Sequence, residues 1–182
     1  LKAYTKTINH SKSGKKSYGE WVHPDMVGCY FPIEDWNAEV LDFSNAIRNT
    51  AIKMFSFELK RELDFGNLRE SFFQAVSNSS WANEGYLVAN EISKDEEFRD
   101  ELRRLVGSFG IGIIELDITD PDSSSVIFPA KQKEYLDWET MNKLADMNSD
   151  FRDFLKRVNK DVTGKEIRKE LYNDVLSREK LV

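Results

Sequence analysis

The sequence predicts an α/β fold: a mixed central sheet flanked by helices, with extra helices at the C-terminal end. Three observations predict it. Between 52 and 60, Phe55, Phe57 and Leu59 alternate with Ser56, Glu58 and Lys60, the period of two that a pleated strand imposes. From 67 to 78, Leu68, Phe72, Ala75 and Val76 recur instead at helical spacing. The stretch from 52 to 116 then reads strand, helix, strand, helix, strand, which right-handed crossovers convert into a partly parallel sheet with covering helices.

In chain order, residues 1–17 read as a flexible basic lead-in. Lys2, Lys6, Lys12, Lys15 and Lys16 stand there with no acidic residue and no periodic apolar pattern. A phosphate-contacting arm is the alternative; a solvated linker is the expectation. One domain is expected over 18–182, because 182 residues suffice for one good core and fall short of two ordinary domains. Residues 26–31 form a short apolar run ended by Pro32, suited to a strand. Residues 32–50 are mixed and stay unassigned, with a strand or a short helix around 40–47. The helix over 67–78 has Asn67 as its N-cap and Glu70 three residues on, the spacing of a capping box. A buried strand follows at 85–89, then an amphipathic helix over 94–106 stopped by Gly107. Asp95, Glu96 and Glu97 occupy that helix's first turn, where the macrodipole favours negative charge. An apolar strand at 111–116 and an edge strand at 126–128 complete the sheet. Charged helical segments run from Trp138, carrying one stripe of Phe151, Phe154, Leu155 and Val158 and another of Ile167, Leu171, Val175 and Leu176. Each stripe can bury a face against the sheet or against a partner chain, so a homodimer is one use for them.

Composition narrows the function. A hydrophobic fraction of 40% with 12 Phe, 4 Trp and 6 Tyr describes a packed globular protein. No apolar run approaches the roughly 20 residues that cross a bilayer, and the N-terminus lacks the apolar centre of a signal peptide, so a soluble, cytoplasmic protein is expected. Cys29, the single cysteine, is expected to be a small buried residue, and beside His10 and His23 it supplies too few soft ligands for a structural zinc. The net charge of -6 argues against a surface that binds polyanions everywhere. Nucleic-acid affinity would fall to local cations, with Arg48, Lys53, Arg61 and Arg69 as the candidates.

The chemistry gathers on two segments. Glu58 and Lys60 lie two apart on one strand, so both side chains leave the same face roughly 7 Å apart along the backbone. Asp25 opens an earlier strand, and if the two strands are neighbours its carboxylate approaches that of Glu58. Two carboxylates suit Mg2+, which takes hard oxygen ligands and keeps several waters. A lysine beside them can position a nucleophile or add positive charge where a phosphorane develops it.

His23-Pro24-Asp25, followed by Glu58-Leu59-Lys60 and a helix bearing Gln74, resembles the PD-(D/E)XK, or restriction-endonuclease-like, nuclease superfamily. The resemblance implies a restriction-endonuclease-like mixed sheet and Mg2+- or Mn2+-dependent hydrolysis of DNA. Asp25 and Glu58 would bind the ion and Lys60 would be the catalytic lysine. Glu20 and Gln74 are similar to an upstream glutamate and a helix glutamine that many members add. More closely, the stretch ELKRELDFGNLRESFFQAVSNSSWANEGYLV looks like the C-terminal domain of bacterial HrgA-like proteins that carry a HARE-type winged helix. That likeness implies a bacterial restriction or defence context and a winged-helix domain preceding these residues, which a start at Leu1 rather than Met would fit.

Plainer readings compete. A strand with Glu and Lys facing solvent is ordinary surface charge, and a nuclease fold can persist as a non-catalytic DNA-binding or regulatory module. His23, before a proline, reads as a turn residue. Gln74 is evenly divided between site and surface, and Asn78 leans to capping or packing. Trp81 and Tyr86 could stack on bases, but a core role is expected. Gly107, Gly110 and Gly112 precede a strand rather than joining strand to helix, which makes them turn glycines and not a phosphate loop.

Overall fold

The computed structural model describes residues 2–13, 23–47, 49 and 51–174. The alternating segment becomes β3 (Lys53–Leu63), which outruns its expected end because Leu63 still buries its side chain. Around it stand β1 (Tyr4–Thr7), β2 (Met26–Tyr30), β4 (Glu84–Ile92), β5 (Gly112–Glu115) and β6 (Ser125–Phe128). Among the described residues these form one six-stranded sheet in the order β1-β2-β3-β4-β5-β6. β2 runs antiparallel to both of its neighbours, β1 and β3; β3, β4 and β5 run parallel, and β6 returns antiparallel as an edge. The parallel steps are made by α2 (Leu68–Asn78) and α3 (Glu96–Phe109), the crossovers that parallel neighbours require. Between β2 and β3 lies α1 (Ala38–Ala46), and α4 (Trp138–Met147) and α5 (Ser149–Gly164) follow the sheet. No helix among the described residues is long and apolar enough to cross a membrane.

Register and the period of two sort the side chains between faces. Met54, Ser56, Glu58 and Lys60 share a face with Cys29 and Val27 across β2 and with Leu87 and Ala89 across β4. Both cores sit on that face. Over β2 and the start of β3, Trp81, Leu144, Phe151 and Phe154 bury Val27, Cys29 and Met54. Over β4 and β5, Leu68, Phe72, Phe98 and Leu102 bury Leu87, Ala89 and Ile113. Each large side chain fully buried this way stabilises the fold by about 1.5–3 kcal/mol. So α2, α3, α4 and α5 all pack on the face that bears Glu58 and Lys60. On the other face Phe55, Phe57 and Tyr86 stack, with ring centroids 6.1 and 5.9 Å apart.

Several expectations need correction. Residues 2–13 are not a flexible lead-in: β1 pairs with β2, and Tyr4 and Ile8 enter the core of α4 and α5. The lysines there are partly spent within the fold, Lys12 on Asp150 at 2.7 Å and Lys2 on Glu34 at 3.5 Å. The unassigned region forms α1. Asn67 stands before α2 without capping it; its side chain accepts from Asp64 N–H and donates to Glu62 O, which closes the turn instead. The helix expected to stop at Gly107 runs on to Phe109 and stops at Gly110, whose φ of 75° is the left-handed conformation that a helix end uses and a side chain resists. Asp95 caps the start of that helix by accepting from Phe98 N–H. The stripe from Ile167 does not form a continuous helix: Leu171 is exposed, Tyr172 takes the buried place, and Val175 and Leu176 lie outside the described residues. Cys29 is free and buried, as expected, and burial pushes its thiol pKa up.

Candidate functional site

Because β2 and β3 are direct neighbours with Met26 opposite Phe57, Asp25 sits one step past that pair, beside Glu58. Two backbone bonds fix it there: its carbonyl accepts from Ile8 N–H at 2.9 Å, and its Oδ2 accepts from Leu59 N–H at 2.8 Å. Asp25 therefore extends the ladder with its side chain where the backbone ladder ends.

The other half of the site follows from a match of two repeats. Residues two apart on a strand are separated by about 6.6 Å, and residues four apart on a helix by about 6 Å. Helix α2 folds back antiparallel over β3, so Gln74 meets Lys60 and Asn78 meets Glu58. Lys60 Nζ donates to Gln74 Oε1 at 2.8 Å and to Glu58 Oε1 at 2.9 Å. Asn78 Nδ2 donates to Glu58 Oε2 at 2.8 Å. Asn78 is itself anchored through its carbonyl, which accepts from Ser56 Oγ and Trp81 Nε1. Buried Trp81 thus serves the core and the site's foundation together.

Burial is graded across these groups. The Glu58 side chain is 1% exposed, that of Lys60 25% and that of Asp25 30%. Burial raises the Glu58 pKa, and the charge of Asp25 raises it further; the hydrogen bonds from Lys60 and Asn78 pull the other way and do not win. A Glu and Lys facing solvent, the ordinary surface reading, would show neither the burial nor this clamping. Such a charged pair of acids is what a divalent cation relieves, and a donor set of two carboxylates plus water fits Mg2+. Among the described residues no group of three or more His, Cys, Asp or Glu side chains surrounds one ion position.

Two histidines border the site. His10 Nε2 lies 3.3 Å from Asp25 Oδ1, and the ring of His23 is 6.3 Å from that of His10. His23 is buried, and neither ring nitrogen has a hydrogen-bond partner among the described residues. Burial, then the neighbouring His10, lowers its pKa. The expected turn residue stands outside any helix or strand and is buried.

Of the residues singled out from sequence, Asp25, Glu58, Lys60 and Gln74 come together. Glu20 and Arg48 lie outside the described residues. Lys53 is separated from the site, roughly 17 Å along β3 from Glu58, and is engaged by Gln132 at 2.6 Å and Glu84 at 3.6 Å. Arg61 is exposed directly after Lys60 and helps line a groove of about 460 Å³ with Lys60, Val88, Asn90 and Ile118. Arg69 is exposed on α2. An apolar cavity of about 490 Å³ between Met54, α4 and α5 contains none of the site residues. Sequence reasoning undervalued Asn78 and gave His10 no role. The signal for Asn78 was available, since it stands four residues after Gln74 on the same helix face. No protein-family model matches this chain, and no curated protein or solved structure matches it closely enough to count as a relative.

Proposed function

We propose that this domain hydrolyses phosphodiester bonds in DNA with the help of Mg2+ or Mn2+, as a PD-(D/E)XK-like nuclease in a bacterial restriction or defence setting in the cytoplasm. One observation carries the reading: a buried glutamate beside a second carboxylate, clamped between a lysine and an asparagine that are themselves held in place. Asp25 and Glu58 would hold the ion. When bound, it supplies Lewis-acid stabilisation of the charge that builds on the phosphate and eases deprotonation of water.

The chain's own residues do the rest. Leu59 N–H engages Asp25 Oδ2 and so fixes the carboxylate, with Oδ1 3.3 Å from His10 Nε2. Asn78 and Lys60 partly offset the burial of Glu58 and fix its rotamer. Gln74 keeps the Lys60 ammonium on the site side of β3, where its charge can hold a phosphate oxygen or the attacking water. Arg61, exposed next along the strand but leaving its opposite face, is a candidate for a backbone phosphate at the edge of the site.

The test is cleavage of supercoiled and linear DNA with and without Mg2+ or Mn2+, comparing the chain with Asp25→Ala and Lys60→Ala. Loss of cleavage by about 10²-fold or more in each variant is expected, since each removes charge stabilisation made in the transition state. Full activity in either variant refutes the assignment. A second reading, a non-catalytic module that keeps the fold as a DNA-binding or regulatory interaction unit, is favoured on its regulatory side by the net charge of -6, which disfavours polyanion binding. Metal binding with no cleavage of any DNA would favour it.

A further inference from the structure

Helix α1 gives little of its own surface to the fold. Within it Ser44 alone is buried and Leu41 is half-buried, while Val40, Phe43 and the C-cap Ile47 are exposed, Phe43 by 65%. Spacings of three and four residues set these three on one helical face, and Trp36, exposed four residues before Val40, extends the stripe. Single apolar side chains on a surface are ordinary, but a row of four on one helix marks an interaction surface. Beside α1 lies the apolar groove of about 490 Å³. Met54 and Met141 are buried at its floor, and Trp138 and Ala145 of α4 face Leu155 and Val162 of α5 across it. Ile52 and Val162 border both this groove and the cleft beneath Leu41 and Ser44, so helix and groove are immediate neighbours.

We propose that α1 of one copy of this chain lies in the α4–α5 groove of a second copy, and the reverse, across a two-fold axis. Three observations select a second copy as the occupant. The stripe and the groove are the two halves of a helix-in-groove contact, and a patch that carries both halves side by side is self-complementary, as a two-fold interface requires. The charges also match. Helix α1 carries Glu39 and Asp42 and no basic residue; Asp42 is held by Lys165 of its own copy at 2.8 Å, and Glu39 is left to meet Lys156 and Lys160, exposed one turn apart on α5 beside the groove residues Leu155 and Asn159. The area fits as well. With each half-exposed large side chain burying on the order of 100 Å², one helix in one groove stays below the roughly 1,200 Å² of a stable interface, and the symmetry-related second contact brings the total into that range.

Sedimentation velocity of the 182-residue chain over about 1–100 μM tests this, with Phe43→Glu and Trp138→Glu run beside it. The parent should pass from monomer to dimer within that range. Each substitution places a charge in the apolar contact twice over, so each should weaken dimerisation by about 100-fold or more and leave the chain monomeric throughout. Phe43 and Trp138 are both exposed, so both variants should fold, which an unchanged far-ultraviolet circular dichroism spectrum checks. Glu39→Lys should weaken the dimer less, and adding Lys156→Glu with Lys160→Glu to the same chain should restore it, a rescue that a fold defect would not show. A parent chain that stays monomeric at about 100 μM overturns the inference. So does a dimer that persists in either Phe43→Glu or Trp138→Glu, since its interface would then lie elsewhere.

Discussion

Replacing Glu58 by glutamine removes the charge of the site's most deeply buried group while keeping its shape. In the parent chain burial and Asp25 together outweigh the hydrogen bonds from Lys60 and Asn78, so the ionised glutamate costs the fold free energy even though it is paired. The amide can keep the contacts. Its oxygen accepts from Lys60, and its NH2 group can donate to Asn78 Oδ1, which has no partner in the parent structure, once the Asn78 amide turns over. Lys60 loses a counter-charge, but its side chain is 25% exposed and still bonded to Gln74, so water takes over part of that role. The net expectation without metal is a gain of about 1 kcal/mol, of the kind seen when a functional group is relieved of strain. For a chain of this size that raises Tm by about 2–4 °C.

The same physics sets the sign with pH. Glu58 has its folded pKa raised above the ordinary value of 4.5, so its penalty is absent below the unfolded pKa and appears as pH rises through the folded one. The advantage of Glu58→Gln over the parent should therefore be full at about pH 8 and shrink toward about pH 5. Thermal melts in a chelating buffer at both pH values measure it. Adding Mg2+ at about a hundred times its Kd should then stabilise the parent by about 2.7 kcal/mol and the variant by little, which reverses their order. A variant that melts below the parent in chelator at about pH 8, or a difference indifferent to pH, would refute the account of Glu58 as a strained site residue.

Gln74→Ala frees the Lys60 ammonium from one of its two acceptors; cleavage should drop roughly 10–100-fold, less than for Lys60→Ala, with an unchanged melting curve. Ile8→Ala opens a hole beneath β1 and should cost about 2–5 kcal/mol in chemical unfolding, whereas a linker residue would cost nothing measurable. Asp161 is fully buried and accepts from Arg157 and from the Tyr172 hydroxyl, so Asp161→Ala strands both partners and should cost about 3–5 kcal/mol. Tyr172→Phe, measured beside it, should cost less, about 1.5–3 kcal/mol, the worth of one hydrogen bond to a charged group.

The elements legible in the sequence were those whose burial spans several periods. Strand β3 shows its alternation over enough residues to be unmistakable, and α2 and α3 carry apolar stripes that only a helix can place together. Strand β1 was illegible because it is four residues long, and among its residues only Tyr4 turns into the core, with Ile8 following past the strand's end. Lysines around two apolar anchors look like a linker until β2 supplies the ladder. The end of α3 failed for a different reason. Gly107 and Gly110 are equivalent as letters, and Gly110 marks the end because Lys131 N–H bonds its carbonyl and its backbone enters the left-handed region. In the site, Asp25, Glu58 and Lys60 were readable as a spaced motif, and Gln74 as a residue on the following helix. His10 was not, since nothing local ties residue 10 to residue 25; their meeting depends on the β1–β2 pairing, which was itself unseen.

That dependence explains why the site and the fold's stability cannot be separated along α2. The helix buries Leu68, Phe72 and Ala75 against β4 and β5 through one side, and through the adjoining positions 74 and 78 it holds Lys60 and Glu58. A glutamate and a lysine decorating a surface would both reach water and would need no helix to position them. Here the glutamate is withdrawn from water into the helix–sheet seam, where its charge is unfavourable for folding, and two side chains from the helix are spent on keeping it oriented. Under the proposed function a divalent cation reaching the site past Asp25 would offset that buried charge, because its charge and its preference for oxygen ligands match the two carboxylates.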